Sequence, residues 1–89
     1  MRLRVFYEGR VQGVGFRWLV KQIAVKFDVT GSIRNMSDGR VELIAEGERG
    51  ELEAFQAAIP EAGLDRFIRV ETAEWFEGTG GFKGFGIIG

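Results

Sequence analysis

The 89-residue sequence contains no cysteine, no histidine and only one proline, and each shortage removes a class of chemistry. Without cysteine there is no disulfide framework, no thiolate metal site and no sulfur nucleophile. Without histidine the chain lacks the usual general base at neutral pH, the commonest zinc ligand and every serine-histidine triad. The lone proline, Pro60, argues against a proline-rich linker or disordered arm. No apolar run approaches the length of a secretory or membrane-spanning segment, since the opening stretch MRLRVFYEGRV is interrupted by Arg2, Arg4 and Glu8. These features lead us to expect a cytoplasmic protein, not associated with membranes, folded as a single domain over residues 1–89.

The charge that is present is unevenly spread. Residues 1–44 hold eight Lys/Arg and four Asp/Glu, whereas residues 45–89 hold four and nine, for a net charge of −1. The first half favours a small anion. A nucleic-acid module would carry a stronger basic excess, so no nucleic-acid partner is expected.

Along the chain the apolar period changes several times. Leu3, Val5 and Tyr7 alternate with charged residues as in a strand buried on one face, Phe6 being the exception. Phe16, Leu19, Val20, Ile23, Ala24 and Phe27 form a helical stripe. Val29 to Asn35 and Arg40 to Glu46 read as two strands of a hairpin, turning at Asp38-Gly39. Leu52, Phe55 and Ile59 mark a second helix that ends near Pro60, with Gly63 at its exit. Phe67 to Phe76 reads as a fourth strand, and a glycine-rich loop leads to a short final strand around Phe85 to Ile88. Two helices of this size cover one face of a sheet. The expected fold is therefore an α+β two-layer sandwich, ferredoxin-like βαββαβ with an additional short C-terminal strand, its antiparallel sheet carrying both helices on one side.

The segment from Gly9 to Arg17, GRVQGVGFR, places three glycines between the first strand and the first helix. Glycine lets a backbone curl with positive φ, and a helix N-terminus offers unpaired N–H groups and the positive end of its dipole. The loop therefore suits a phosphate or carboxylate, although such glycines also serve simply to turn a chain. Arg17 sits in the first helical turn, where the dipole disfavours a cation by about 0.3–1 kcal/mol. A placement that opposes stability points to an anion site; the alternative is an arginine whose stem covers the core. GVGFRW lacks the third glycine of a dinucleotide fingerprint, and no G-x-x-x-x-G-K-[ST] loop occurs, so no nucleotide cofactor is expected.

Asn35 closes the second strand, where asparagine commonly serves as a turn residue. In a βαββ unit, however, the first two strands run in the same direction and end at the same sheet edge. That brings Asn35 to the edge where the glycine loop begins, and an amide there could donate to a bound anion and accept from a water. Other polar residues offer less. Ser37 has no histidine partner, Lys21 and Lys26 lie on the outward helix face, and Asp38 and Glu42 fit a turn and an exposed strand face. No metal-ligating cluster is present. Trp18 and Trp75 fit packing or scattered surface positions.

The segments VQGVGFR at 11–17, GSIRNMSDGRVE at 31–42 and GGFKGFGI at 80–87 closely resemble the acylphosphatase family, in order and over essentially the whole chain. The resemblance implies a five-stranded α/β sandwich that hydrolyses the carboxyl-phosphate bond of acyl phosphates without metal or cofactor. It assigns phosphate binding to Arg17 and to the backbone of Gln12, Gly13, Val14, Gly15 and Phe16, and placement of the hydrolytic water to Asn35. The implied partner is a small-molecule acyl phosphate; a monomer is the default expectation, since no long exposed apolar edge stands out in the sequence. Two departures bear on substrate preference: IPEAGLDRFIRV lacks the Gly-Pro often seen there, and Trp18 occupies a variable position.

Two competing readings share this architecture. The same domain type is found within larger proteins, including hydrogenase-maturation carbamoyltransferases, as a substrate-handling module. An RNA-binding sandwich would need aromatic residues paired on its two central strands, which the third strand, RVELIAEG, does not supply.

Overall fold

Strand β1 (Arg2–Gly9) is the spine of the computed structural model, which describes residues 1–89. Its alternation is the one expected: Leu3, Val5 and Tyr7 are completely buried on one side, while Arg2, Arg4 and Phe6 line the other. The chain continues through α1 (Phe16–Ala24), β2 (Thr30–Asn35), β3 (Val41–Glu46), α2 (Arg49–Ile59), β4 (Ile68–Phe76) and β5 (Phe85–Ile87). The strand order is β4-β1-β3-β2-β5. All neighbours are antiparallel except β2 and β5, so the added strand gives the sheet one parallel pairing.

Both helices bury their apolar stripes on one sheet face, where Phe16, Val20 and Ile23 of α1 and Leu52, Phe55 and Ile59 of α2 join Leu3, Val5, Tyr7, Ile33 and Leu43 in one core. Helix α1 is shorter than its stripe. It stops at Ala24, and the N–H groups of Lys26 and Phe27 turn back to Ile23 and Ala24 at 3.0 and 3.1 Å. Phe27 still reaches the core from this turn, its ring centroid 5.8 Å from that of Phe55. The hydrophobic pattern thus reports burial, which outlasts the helix by three residues. After α2 the chain leaves through a wide turn at Pro60–Leu64, with Gly63 at φ 91°, and a tight turn at Asp65–Phe67.

Gly31 shows why one β2 position must lack a side chain. A Cβ there would lie 1.9 Å from the carbonyl oxygen of Ile44 on β3, and its φ is +154°.

The open sheet face is held by charge. Glu42 accepts from Arg34 Nε at 2.6 Å and from Arg4 at 2.8–2.9 Å, while Glu46 accepts from Arg2 Nε at 2.6 Å. The expected exposed position of Glu42 is corrected here. It lies on the open face, but the two guanidinium groups cover it and leave it only 4% exposed. Phe6, the exception in the β1 alternation, lies between the guanidinium groups of Arg4 and Arg40, 4.6 and 4.4 Å from its centroid.

Candidate active site

The register fixes which residues share the upper edge of the helix-covered face. Tyr7 of β1 and Asn35 of β2 both pair with Val41 of β3, so the three form one row on the side covered by the helices. The two buried side-chain polar atoms with no hydrogen-bond partner, Tyr7 OH and Asn35 Oδ1, both belong to this row. Burial, with a smaller contribution from Glu71, raises the Tyr7 pKa and keeps the phenol neutral. Its ring packs on Phe16, the first residue of α1, at a centroid distance of 5.1 Å.

The loop between β1 and α1 passes over this row. Gly13 and Gly15 take φ values of 76° and 82°, and a Cβ at either position would meet nothing within 4 Å, so conformation rather than space demands glycine at both. Gly15 caps α1 in the left-handed region with no side-chain hydrogen bond, leaving the first helical turn without a side-chain acceptor at its N-cap. No backbone N–H from Val11 to Gly15 donates to another backbone carbonyl. Donors uncommitted to the fold are thus gathered at the positive end of a helix dipole.

The loop is tied down by a side chain. Gln12 Nε2 donates to the carbonyl oxygens of Met36 and Arg40 at 2.8 and 3.0 Å, joining the glycine loop to both ends of the β2–β3 turn. Sequence reasoning used only the backbone of Gln12, and its spacing from the turn gave no sign of this tie. The turn itself forms as expected: Gly39 N–H donates to Met36 at 3.1 Å, and Asp38 accepts from the Arg40 N–H at 3.1 Å. Asp38 is held below the usual carboxylate range mainly by that backbone hydrogen bond and by the Arg40 side chain.

A recess of about 150 Å³ brings five of the sequence candidates together: Gly13, Gly15, Phe16, Arg17 and Asn35 line it, with Val11, Trp18 and Ile87, whereas Gln12 and Val14 do not. Arg17 does not point away over the core. Its Nη1 donates to a main-chain oxygen of Gly89 at 2.7 Å, beyond the end of β5, which leaves most of the five guanidinium N–H donors free. This contact joins residues 72 apart and has no local signature in the sequence. A larger recess of about 530 Å³ lies between the β2–β3 turn and the start of β4, but contains neither Arg17 nor Asn35, and Glu8 and Asp38 share it with four arginines. Convergence of donors, rather than size, marks the smaller one. Lys21 and Lys26 are exposed, as expected, and Ser37 is exposed as well.

Fold and recess together define a small two-layer sandwich with a loop of uncommitted N–H donors at the start of its first helix. The acylphosphatase family model matches residues 3–87, and the chain belongs to the acylphosphatase family. The acylphosphatase of Acidothermus cellulolyticus is 44% identical over 88 residues, covering 96% of this chain and 84% of that relative. In three dimensions the chain is similar to the crystal structure of acylphosphatase from Bacillus subtilis, with a TM-score of 0.85 and 32% identity over 98% of this chain and 97% of the other. It is also similar to part of full-length HypF, solved in a phosphate- and nucleotide-bound form, with a TM-score of 0.84 and 34% identity over 99% of this chain but 12% of that one. The family resemblance and the two-layer architecture read from the sequence are both borne out.

Proposed function

We propose that this chain hydrolyses acyl phosphates to a carboxylate and inorganic phosphate, with Arg17 and the N–H groups of Gln12 to Phe16 binding the phosphoryl group and Asn35 orienting the attacking water. The observation that carries the reading is the shared recess. Arg17, loop residues whose N–H groups are uncommitted, and Asn35, whose buried amide oxygen has no partner, line one cavity.

The chemistry suits a site without histidine. Water oxygen bonds to phosphorus as the bond from phosphorus to the carboxyl oxygen breaks, and the leaving carboxylate departs unprotonated because its conjugate acid has a pKa of about 4. No general acid is therefore required. Charge on the phosphoryl oxygens is met by the arginine fork and the loop N–H groups. Asn35 Oδ1 accepts from the water, and the water proton passes to a phosphoryl oxygen. No step calls for a metal or cofactor.

The reading assigns the whole chain to one domain acting as a cytoplasmic monomer on a small molecule. Support for one domain is the single core, to which both helices and the sheet contribute. Support for a monomer is the edge strand β4, whose Arg69, Glu71 and Glu74 oppose edge-to-edge pairing. A cysteine-free chain needs no oxidising compartment.

The test follows hydrolysis of benzoyl phosphate by loss of ultraviolet absorbance in the presence of chelator. Arg17→Ala should lose both affinity and rate, because its charge acts in ground and transition states alike. Asn35→Ala should lose mainly kcat, on the order of 10²-fold. Wild-type kinetics in a folded Asn35→Ala protein would remove its assigned role, and no turnover by the folded wild type would remove the function.

A further inference from the structure

The recess that holds Arg17 and Asn35 offers more apolar surface than an anion requires. Val11 and Phe16 are each 1% exposed and belong to the core, but Trp18 is 59% exposed and Ile87 is 39% exposed. Trp18 stands in the first turn of α1 beside Arg17, and Ile87 ends β5, which runs parallel to β2 and its terminal Asn35. Two elements thus present an open aromatic and aliphatic flank where the polar groups converge.

The indole of Trp18 has no structural employment that would explain it. It is absent from the hydrophobic residues packed against the core, pairs with no other ring and lies under no guanidinium. Trp75 shows the contrast, since it packs against the core and carries the Arg49 guanidinium 4.3 Å above its ring. An exposed tryptophan that lines a recess and supports nothing in the fold is available to a ligand.

We propose that Trp18, backed by Ile87, is the platform for the acyl group, so that this site selects acyl phosphates with a planar apolar acyl part over those with a small one. The proposal rests on the acyl phosphate reading above. With the phosphoryl group among the loop N–H donors and Arg17, the acyl group, one bridging oxygen away, meets the apolar flank of the same recess. Stacking on the indole is worth roughly threefold to tenfold in binding beyond the area buried. The contact is the same before and during phosphorus–oxygen cleavage, so it acts on KM rather than kcat.

The experiment measures kcat and KM for benzoyl phosphate and acetyl phosphate with wild type, Trp18→Ala and Trp18→Phe. The expected result is a benzoyl-to-acetyl ratio of kcat/KM that falls on the order of tenfold in Trp18→Ala, through a raised KM for benzoyl phosphate, and recovers in Trp18→Phe. An unchanged ratio in active Trp18→Ala overturns the platform and leaves the functional reading standing. Equal losses on both substrates make Trp18 a support for Arg17 and also overturn it. No hydrolysis of either substrate by folded wild type overturns the functional reading, and the platform with it.

Discussion

Replacing Gln12 by alanine tests how the glycine loop is held, because this one side chain ties it to the β2–β3 turn. The substitution removes two hydrogen bonds, to the carbonyl oxygens of Met36 and Arg40. Neither acceptor is left orphaned: Met36 still accepts from the Gly39 N–H at 3.1 Å, and Arg40 from the Met36 N–H at 2.8 Å. The loss therefore falls in the range for ordinary hydrogen bonds, about 1–2 kcal/mol for the pair, without the penalty of a stranded buried group. For a domain of this size each kcal/mol lowers Tm by about 4–8 °C. Gln12→Glu should be worse than Gln12→Ala, since it sets a carboxylate against two carbonyl oxygens. Urea unfolding followed by tryptophan fluorescence reads both variants, and the midpoint should fall while the m-value stays constant. Because the loop N–H groups lose their anchor, inhibition of benzoyl phosphate hydrolysis by inorganic phosphate should also weaken several-fold. If Gln12→Ala and Gln12→Glu both unfold at the wild-type midpoint, the tie contributes nothing and the argument fails.

Three other outcomes follow from the packing. Gly31→Ala should destabilise by about 3 kcal/mol or more in urea unfolding, because its Cβ meets the Ile44 backbone, whereas Gly13→Ala, with open space around it, should cost about 1–2 kcal/mol for its left-handed conformation alone. Tyr7→Phe should stabilise by about 1 kcal/mol, since the buried hydroxyl it removes has no partner; a loss of stability would mean the hydroxyl is satisfied. For Glu42 and Glu46, burial opposes ionisation, but their arginine partners, and for Glu46 the N–H groups of Thr79 and Gly80, outweigh it and hold both pKa values below the ordinary glutamate value of 4.5. A depressed folded-state pKa contributes stability above about pH 4.5 that is lost as pH falls further. Urea midpoints should therefore stay level from about pH 7 to 5 and fall below about 4.5, and Glu42→Gln should reduce that fall.

The elements were legible because burial imposes a period on local sequence. The α1 stripe and the Asp38-Gly39 turn are local patterns; the turn formed where it was read, and the helix formed over all but the last three residues of its stripe. The meeting of Arg17 and Asn35 was also legible, since the direction of β1 and β2 follows from connectivity. The parallel pairing of β5 was not, because a three-residue strand carries too little pattern to choose its neighbour. Gln12 to the β2–β3 turn, Arg17 to Gly89 and Glu42 beneath Arg4 and Arg34 depend on register between distant segments. Charge pattern along β3 cannot reveal that two guanidinium groups bury one of its carboxylates.

The position of β3 bears on how the recess comes into being as the chain folds. Strands β1 and β2, which deliver the glycine loop and Asn35, do not pair with each other; each is hydrogen-bonded to β3, which follows both in sequence. The recess therefore has a high local contact order and does not exist until the third strand is inserted between the first two. A phosphate ion held there would find no docking place in a chain still lacking β3. It should act as a late lock, slowing unfolding while leaving the folding rate nearly unchanged.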